Sequence, residues 1–169
     1  TFFAPAAGTF VLSGGGAIMR PEWTRAVGGP GAVDAMNRQA RRGYRSGGVW
    51  PAPGVITSPY GYRVGPFNGA EIHDGIDIGA PLGTPVVSAL PGIVTLAGWN
   101  GGYGNQVTVD HGGFTTFYAH LDAFTVAVGD LVDAGSLIGK VGSTGWSTGP
   151  HLHFGSSAGD PAALLAGDI

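Results

Sequence analysis

The chain has 169 residues, of which 33 are Gly and 12 are Pro; 43% are hydrophobic, 11% are charged and none is Cys. So many turn-formers beside an apolar fraction able to build a core fit one turn-rich protein of short strands, and no Gly-X-Y period is present to make a collagen. A net charge of −3 with a single Lys excludes a nucleic-acid partner, the lack of thiols excludes thiolate metal sites, disulfides and thiol nucleophiles, and no apolar run approaches the ~20 residues of a membrane insertion.

Thr1 in place of an initiator Met reads as a chain processed or excised from something longer. Residues 1–48 carry six arginines against Glu22 and Asp34, while the remainder carries Arg63 and Lys140 against nine acids. In the first part Gly14, Gly15 and Gly16 lead into Pro21, and Val33, Met36 and Ala40 recur at helical spacing up to Gly43, which predicts one or two short helices. Ser46, Gly47, Gly48, Pro51, Pro53 and Gly54 make a turn-rich connector. The chain thus divides into an N-terminal helical arm, 1–48, and a second unit, 49–169. From Val55 the period is two. Strands are expected over 85–90, 92–98, 106–110, 114–121, 124–128, 136–141 and 151–156, with His111, Gly112 and Gly113 turning one hairpin. The fold class is an all-β core, an antiparallel sheet or sandwich of short strands.

Four of the five histidines fall into arrangements that make chemical sense together. Residues two apart on a strand share a face, so His151 and His153 point one way while Leu152 and Phe154 face the core. In the segment 72–78, Ile72, Ile76 and Ile78 take the apolar parity and leave His73, Gly75 and Asp77 on the polar face, with Gly75 letting the backbone bend. His120 shares parity with Thr116 and Tyr118 and points at the same site, whereas His111 reads as a hairpin residue with at most a supporting role. Two His and one carboxylate suit Zn²⁺ and leave a fourth tetrahedral position open, as in a catalytic centre. Spacing alone leaves open which ring of the His151–His153 pair binds the metal.

These blocks follow one another in a specific order: Ser58-Pro-Tyr-Gly-Tyr-Arg63, His73-Asp-Gly-Ile-Asp77, Ala80-Pro-Leu-Gly-Thr-Pro85, Gly98-Trp-Asn-Gly-Gly-Tyr-Gly-Asn105, Tyr118-Ala-His-Leu121, Gly142-Ser-Thr-Gly145 and Ser147-Thr-Gly-Pro-His-Leu-His-Phe154. In them residues 55–154 resemble the M23 metallopeptidases, the lysostaphin- and LytM-like enzymes that cut peptidoglycan cross-bridges. The resemblance implies Zn²⁺ held by His73, Asp77 and His153, with His120 and His151 as the catalytic histidines. It implies an endopeptidase that hydrolyses stem-peptide cross-links by metal-activated water and works outside the cell at the wall. No Glu base is needed, in keeping with a chain whose only glutamates are Glu22 and Glu71. Two positions depart from the family pattern: Gly65 stands where a His is frequent and Gly155 where a Glu is frequent. A Tyr near the first His assists in some members, and Tyr60 and Tyr62 are the nearby candidates.

Residues 17–37 resemble a segment near the ends of actinobacteriophage tail tape-measure proteins, which implies a phage-tail assembly and a virion location. A generic short-helix arm, or an inhibitory prosegment lending Asn37 to the metal, are the competing readings. For the whole unit the alternative is a catalytically silent wall-binding or scaffolding module of the same fold. A lipoyl-type carrier is disfavoured because Lys140 falls inside a predicted strand rather than at a hairpin tip.

Overall fold

The computed structural model describes residues 47–67 and 69–168. The expected helical arm falls outside them, apart from Gly47 and Gly48. The described residues form eleven strands: β1 (Val55–Ser58), β2 (Gly61–Gly65), β3 (Gly69–His73), β4 (Gly75–Gly79), β5 (Pro85–Val87), β6 (Gly92–Trp99), β7 (Asn105–Asp110), β8 (Thr115–Phe124), β9 (Leu131–Val132), β10 (Leu137–Val141) and β11 (His151–Ser156). A 3₁₀ turn spans Gly101–Tyr103 and one helix, α1, spans Pro161–Ala166. All pairings are antiparallel, as expected.

Nine strands form one sheet in the order β1-β4-β11-β8-β7-β6-β9, with β10 pairing β8 and β5; β2 and β3 form a separate two-stranded sheet. The long strand β8 gives one edge to β7 and the other first to β11 and then to β10. Ile76, Ile78, Val107, Tyr118, Leu121, Leu152 and Phe154 fill the core, those of β4 and β11 from alternate positions. Leu152 and Phe154 are thus on the face the alternation predicts.

Three local expectations are corrected. No strand forms over 124–128: β8 ends at Phe124, and Ala127 N–H then bonds the Asp130 carboxylate at 2.8 Å while Asp130 N–H returns to Ala127 O at 3.1 Å, a turn the Gly129-Asp130 pair favours over extension. The strand expected over 85–90 stops at Val87, because Ser88 N–H is taken by Ser136 O at 2.9 Å. Ile72 does not share a strand face with Ile76 and Ile78. It lies on β3, 68% exposed, because the chain leaves the two-stranded sheet at Asp74 and starts a new strand in the large one.

The connector packs into this unit. Gly48 N–H bonds Leu165 O, Val49 N–H bonds Ala89 O, Val87 N–H bonds Pro51 O, and Ala52 is buried. Helix α1, which the period-two reading passes over, is capped by Asp160, whose side chain accepts from Ala162 N–H; Pro161 stands in its first turn and Gly167 closes it in a left-handed conformation.

Candidate metal centre and active-site groove

Strands β3, β4, β8 and β11 bring His73, Asp77, His120, His151 and His153 to one open groove of about 860 Å³. Asp77 and His153 are direct ladder partners, and Ile78 with Leu152 beside them are buried on the opposite face. His73 arrives from the other sheet. Its Nε2 lies 3.1 Å from Asp77 Oδ1 and 3.0 Å from His153 Nδ1, and His153 Nδ1 lies 3.0 Å from Asp77 Oδ1. Donors bonded to a metal at ~2.0–2.1 Å stand about 3.3 Å apart around a tetrahedron, so this triangle needs only slight widening to hold one.

The donor chemistry fits a cation. His73 Nδ1 donates to Pro59 O at 2.8 Å, which turns the Nε2 lone pair toward the triangle. Beside it stand a carboxylate and a second imidazole. Burial would raise the Asp77 pKa, yet the contacts of His153 and His73 outweigh it and hold the carboxyl well below the usual carboxylate range. For His153 burial would lower the pKa, and the neighbouring carboxylates of Asp74 and Asp77 reverse that into a net rise. Among the described residues His73, Asp77 and His153 are the group whose ligand atoms lie close enough to hold a metal ion.

The outer oxygen of Asp77 is also tied. Arg63 Nη1 donates to Asp77 Oδ2 at 3.0 Å and to Ser58 Oγ at 2.6 Å, and Arg63 Nε donates to Glu71 Oε1 at 2.9 Å. Gly75 serves by its missing side chain rather than by bending the chain: a Cβ there would stand 2.8 Å from the His153 ring and 2.6 Å from Phe154 O. The two departures from the family pattern are filled as well. The Glu71 carboxylate occupies the space a side chain on Gly65 would take, and the Phe117 ring lies over Gly155, within 2.0 Å of where its Cβ would be.

His120 reaches the groove by a route the alternation does not contain. Thr116 and Tyr118 point into the core, where the Tyr118 hydroxyl accepts from Ala89 N–H at 2.7 Å and its ring packs on Phe154. Between Tyr118 and Leu121 strand β8 carries one residue more than β7 opposite, a bulge, and His120 there has φ 59°, the one positive φ at a non-Gly position among the described residues. The bulge turns the ring to the other face, 4.8 Å from His151 and 5.8 Å from His153 between centroids. The shared parity with Tyr118 expected from the sequence is therefore wrong, although the destination is right.

His120 and His151 are both held by loop carbonyls. His120 Nδ1 donates to Thr144 O at 2.7 Å and His151 Nδ1 to Gly149 O at 2.8 Å, which leaves each Nε2 as the ring's acceptor; His151 Nε2 lies 3.6 Å from Asp77 Oδ1. Burial, reinforced by the neighbouring His151 and His153 and opposed by the Thr144 carbonyl, lowers the His120 pKa to about 4. His111 lies elsewhere, buried, with Nδ1 donating to Pro91 O at 2.8 Å and Nε2 2.8 Å from Thr116 Oγ1. Tyr60 and Tyr62 do not line the groove, and Tyr62 is 84% exposed; the tyrosine that does is Tyr103. The sequence reading assigns no role to Arg63, Asp74, Tyr103 or Thr144. Each sits inside a block that carries the family resemblance, and Arg63 is also the one arginine beyond the first 48 residues.

Residues 71–162, more than half of the chain, match the family described as Peptidase family M23. The chain belongs to peptidase family M23. A relative of the M23 domain is the DD-carboxypeptidase/endopeptidase Mpg of Neisseria meningitidis, 52% identical over 101 residues, a match covering 59% of this chain and 23% of Mpg. The chain thus spans about a quarter of that relative. The structure of the antimicrobial peptidase lysostaphin from Staphylococcus simulans superposes with a TM-score of 0.62 at 37% identity, covering 73% of this chain and 55% of lysostaphin. A zinc containing peptidase from Vibrio cholerae gives a TM-score of 0.59 at 36% identity over 63% of this chain and 35% of that one. The M23 fold of the described residues, mostly antiparallel sheet with little helix, agrees with the fold class the sequence implies.

Proposed function

We propose that this chain is a zinc-dependent endopeptidase that hydrolyses peptide cross-links of bacterial peptidoglycan outside the cell, with His73, Asp77 and His153 as the metal ligands and His120 and His151 as the proton-handling pair. The observation that carries the reading is the triangle of one carboxylate oxygen and two imidazole nitrogens, 3.0–3.1 Å apart, on the floor of an open groove. Zinc suits this thiol-free N/O donor set, and the M23 neighbour from Vibrio cholerae is a zinc containing peptidase. The chemistry a bound zinc supplies is Lewis acidity, which polarises a carbonyl and brings the pKa of water from ~15.7 to about 7.

The chain's own residues do the rest. Arg63 and the ladder fix Asp77 and His153, so the donors are held before any ion arrives. His120 and His151 each keep an Nε2 acceptor at the groove, and a carbonyl on each Nδ1–H fixes the tautomer and the ring's orientation. One of the pair accepts the proton of the attacking water, and the other hydrogen-bonds the carbonyl oxygen or passes a proton to the leaving amine, a step worth roughly 10²–10⁴-fold. A silent wall-binding module would need none of this, and all five residues stand together in the groove.

The test is digestion of purified walls of different cross-link types, with mass analysis of the released peptides. Cleavage that stops with a chelator and returns with zinc is the expected result; cleavage by metal-free protein overturns the reading. Residues 1–48 we propose as an arm separate from the peptidase unit at 49–169, and the phage-tail origin implied by residues 17–37 as a proposal from sequence alone, tested by labelling tails with an antibody to the arm.

A further inference from the structure

We propose that Asp74 is a positioning residue that fixes the ring of His153 for metal binding and is itself aimed by the Tyr103 hydroxyl. The proposal rests on the reading of His153 as a ligand through Nδ1. Asp74 lies at the break between β3 and β4, and its side chain, half exposed, reaches back across the groove. Its Oδ1 stands 3.2 Å from His153 Nε2, and its Oδ2 accepts the hydrogen bond of Tyr103 Oη.

The other nitrogen of His153 makes this contact matter. His153 Nε2 is sealed from solvent and makes no well-aligned hydrogen bond among the described residues, so the Asp74 carboxylate is the polar group available to it. Tyr103, Phe117 and His73 pack around the ring with centroids 5.6, 5.7 and 4.9 Å away and close it off from water. A buried imidazole that binds metal through one nitrogen needs an acceptor for the N–H on the other, because that bond sets the tautomer, fixes the ring's rotation and makes the ligating nitrogen more basic. Asp74 is such an acceptor. Tyr103 Oη donates to the other oxygen of the same carboxylate, so the hydroxyl fixes the direction in which Oδ1 faces the ring.

The role is separable from folding, because Asp74 is half exposed and belongs to neither strand. Zinc affinity is read by competition with a chromophoric chelator in the wild-type chain, Asp74→Asn, Asp74→Ala and Tyr103→Phe, together with the visible absorption of the Co²⁺ form and the melting temperature of the metal-free form. Losing such a partner weakens metal binding by about 10–100-fold. Asp74→Ala is expected in that range with a shifted Co²⁺ band, Asp74→Asn between it and wild type because its carbonyl still accepts from Nε2–H, and Tyr103→Phe the mildest, with metal-free melting unchanged throughout. Wild-type affinity and an unshifted Co²⁺ band in both Asp74 variants overturn the proposal. A wild-type chain that binds no metal overturns the ligand reading beneath it and the proposal with it, so the two failures are distinct.

Discussion

Asp77, His120, His151 and His153 stand on β4, β8 and β11, strands paired along both edges with Ile78, Leu152 and Phe154 buried beneath them, whereas His73 stands on a two-stranded sheet whose outer face exposes Tyr62, Val64 and Ile72. Two strands alone are marginal in water. The smaller sheet's contacts with the larger sheet and its loops include Arg63 to Asp77 and Ser58, His73 to the donor triangle, and the Phe67 ring 6.4 Å from Trp146. The large sheet can therefore position its groups with or without an ion, while the position of His73 depends on a few contacts, most of them at the centre itself.

The largest effects should come from the two kinds of histidine. His73→Ala, Asp77→Ala and His153→Ala are expected to lose both zinc and cleavage, while His120→Ala and His151→Ala keep zinc and fold and lose cleavage by roughly 10²–10⁴-fold. Zinc content and turnover measured side by side decide it, and zinc retained in His153→Ala but lost in His151→Ala reverses the assignment of the pair. Next comes the tie between the sheets. Arg63→Gln leaves Asp77 in its ladder but frees the smaller sheet, so zinc affinity should fall about tenfold, the low end of what an outer partner costs because Arg63 is partly exposed, and limited proteolysis should cut first within residues 59–69. Uniform protection there would mean that the two sheets are held by something other than these contacts.

His111 probes the large sheet away from the groove. Its ring is buried with both nitrogens bonded, so His111→Ala should cost about 1–3 kcal/mol, read by denaturant unfolding. Burial lowers its pKa from the ordinary 6.5, against the opposing Pro91 carbonyl and Asp110. The unfolded chain then binds the proton first, so this contribution is complete above pH ~6.5 and is lost as pH falls below it. Melting temperatures from pH 7 down to 5 should drop less steeply in His111→Gln than in wild type. The smallest effect is expected from a chain beginning at Gly47, which keeps Gly48, Val49 and Ala52 in place and should match the full chain in melting temperature and zinc content. A start beyond Pro53 should not.

Legibility followed the range of the contacts involved. The facing of His151 and His153, with Leu152 and Phe154 opposite, was readable because strand alternation is a local rule. The route of His120 was not, since a bulge is defined by the count of residues on the neighbouring strand. The same holds for His73 and Asp77, whose four-residue spacing looks like one strand and is two, in different sheets. Gly47 to Gly54 read as a linker from composition, while only tertiary contacts reveal that Pro51 and Ala52 are buried. Helix α1 did carry its local signals in Asp160, Pro161 and Gly167, but six residues are too few for a period to stand out. Asp74 lies between His73 and Asp77 in the sequence, and nothing in sequence spacing says that its carboxylate meets a ring 79 positions away.

The backbone at His120 sets two kinds of selection against each other at a single codon. A left-handed φ on a residue with a side chain costs roughly 1–2 kcal/mol, a strain that glycine alone escapes. Replacement by Gly would relax the strand and delete in the same step one of the two imidazoles proposed to handle protons, so a gain in stability there would come at the expense of the proposed chemistry. Among relatives of this chain, a glycine in that bulge would mark the loss of the role proposed for His120.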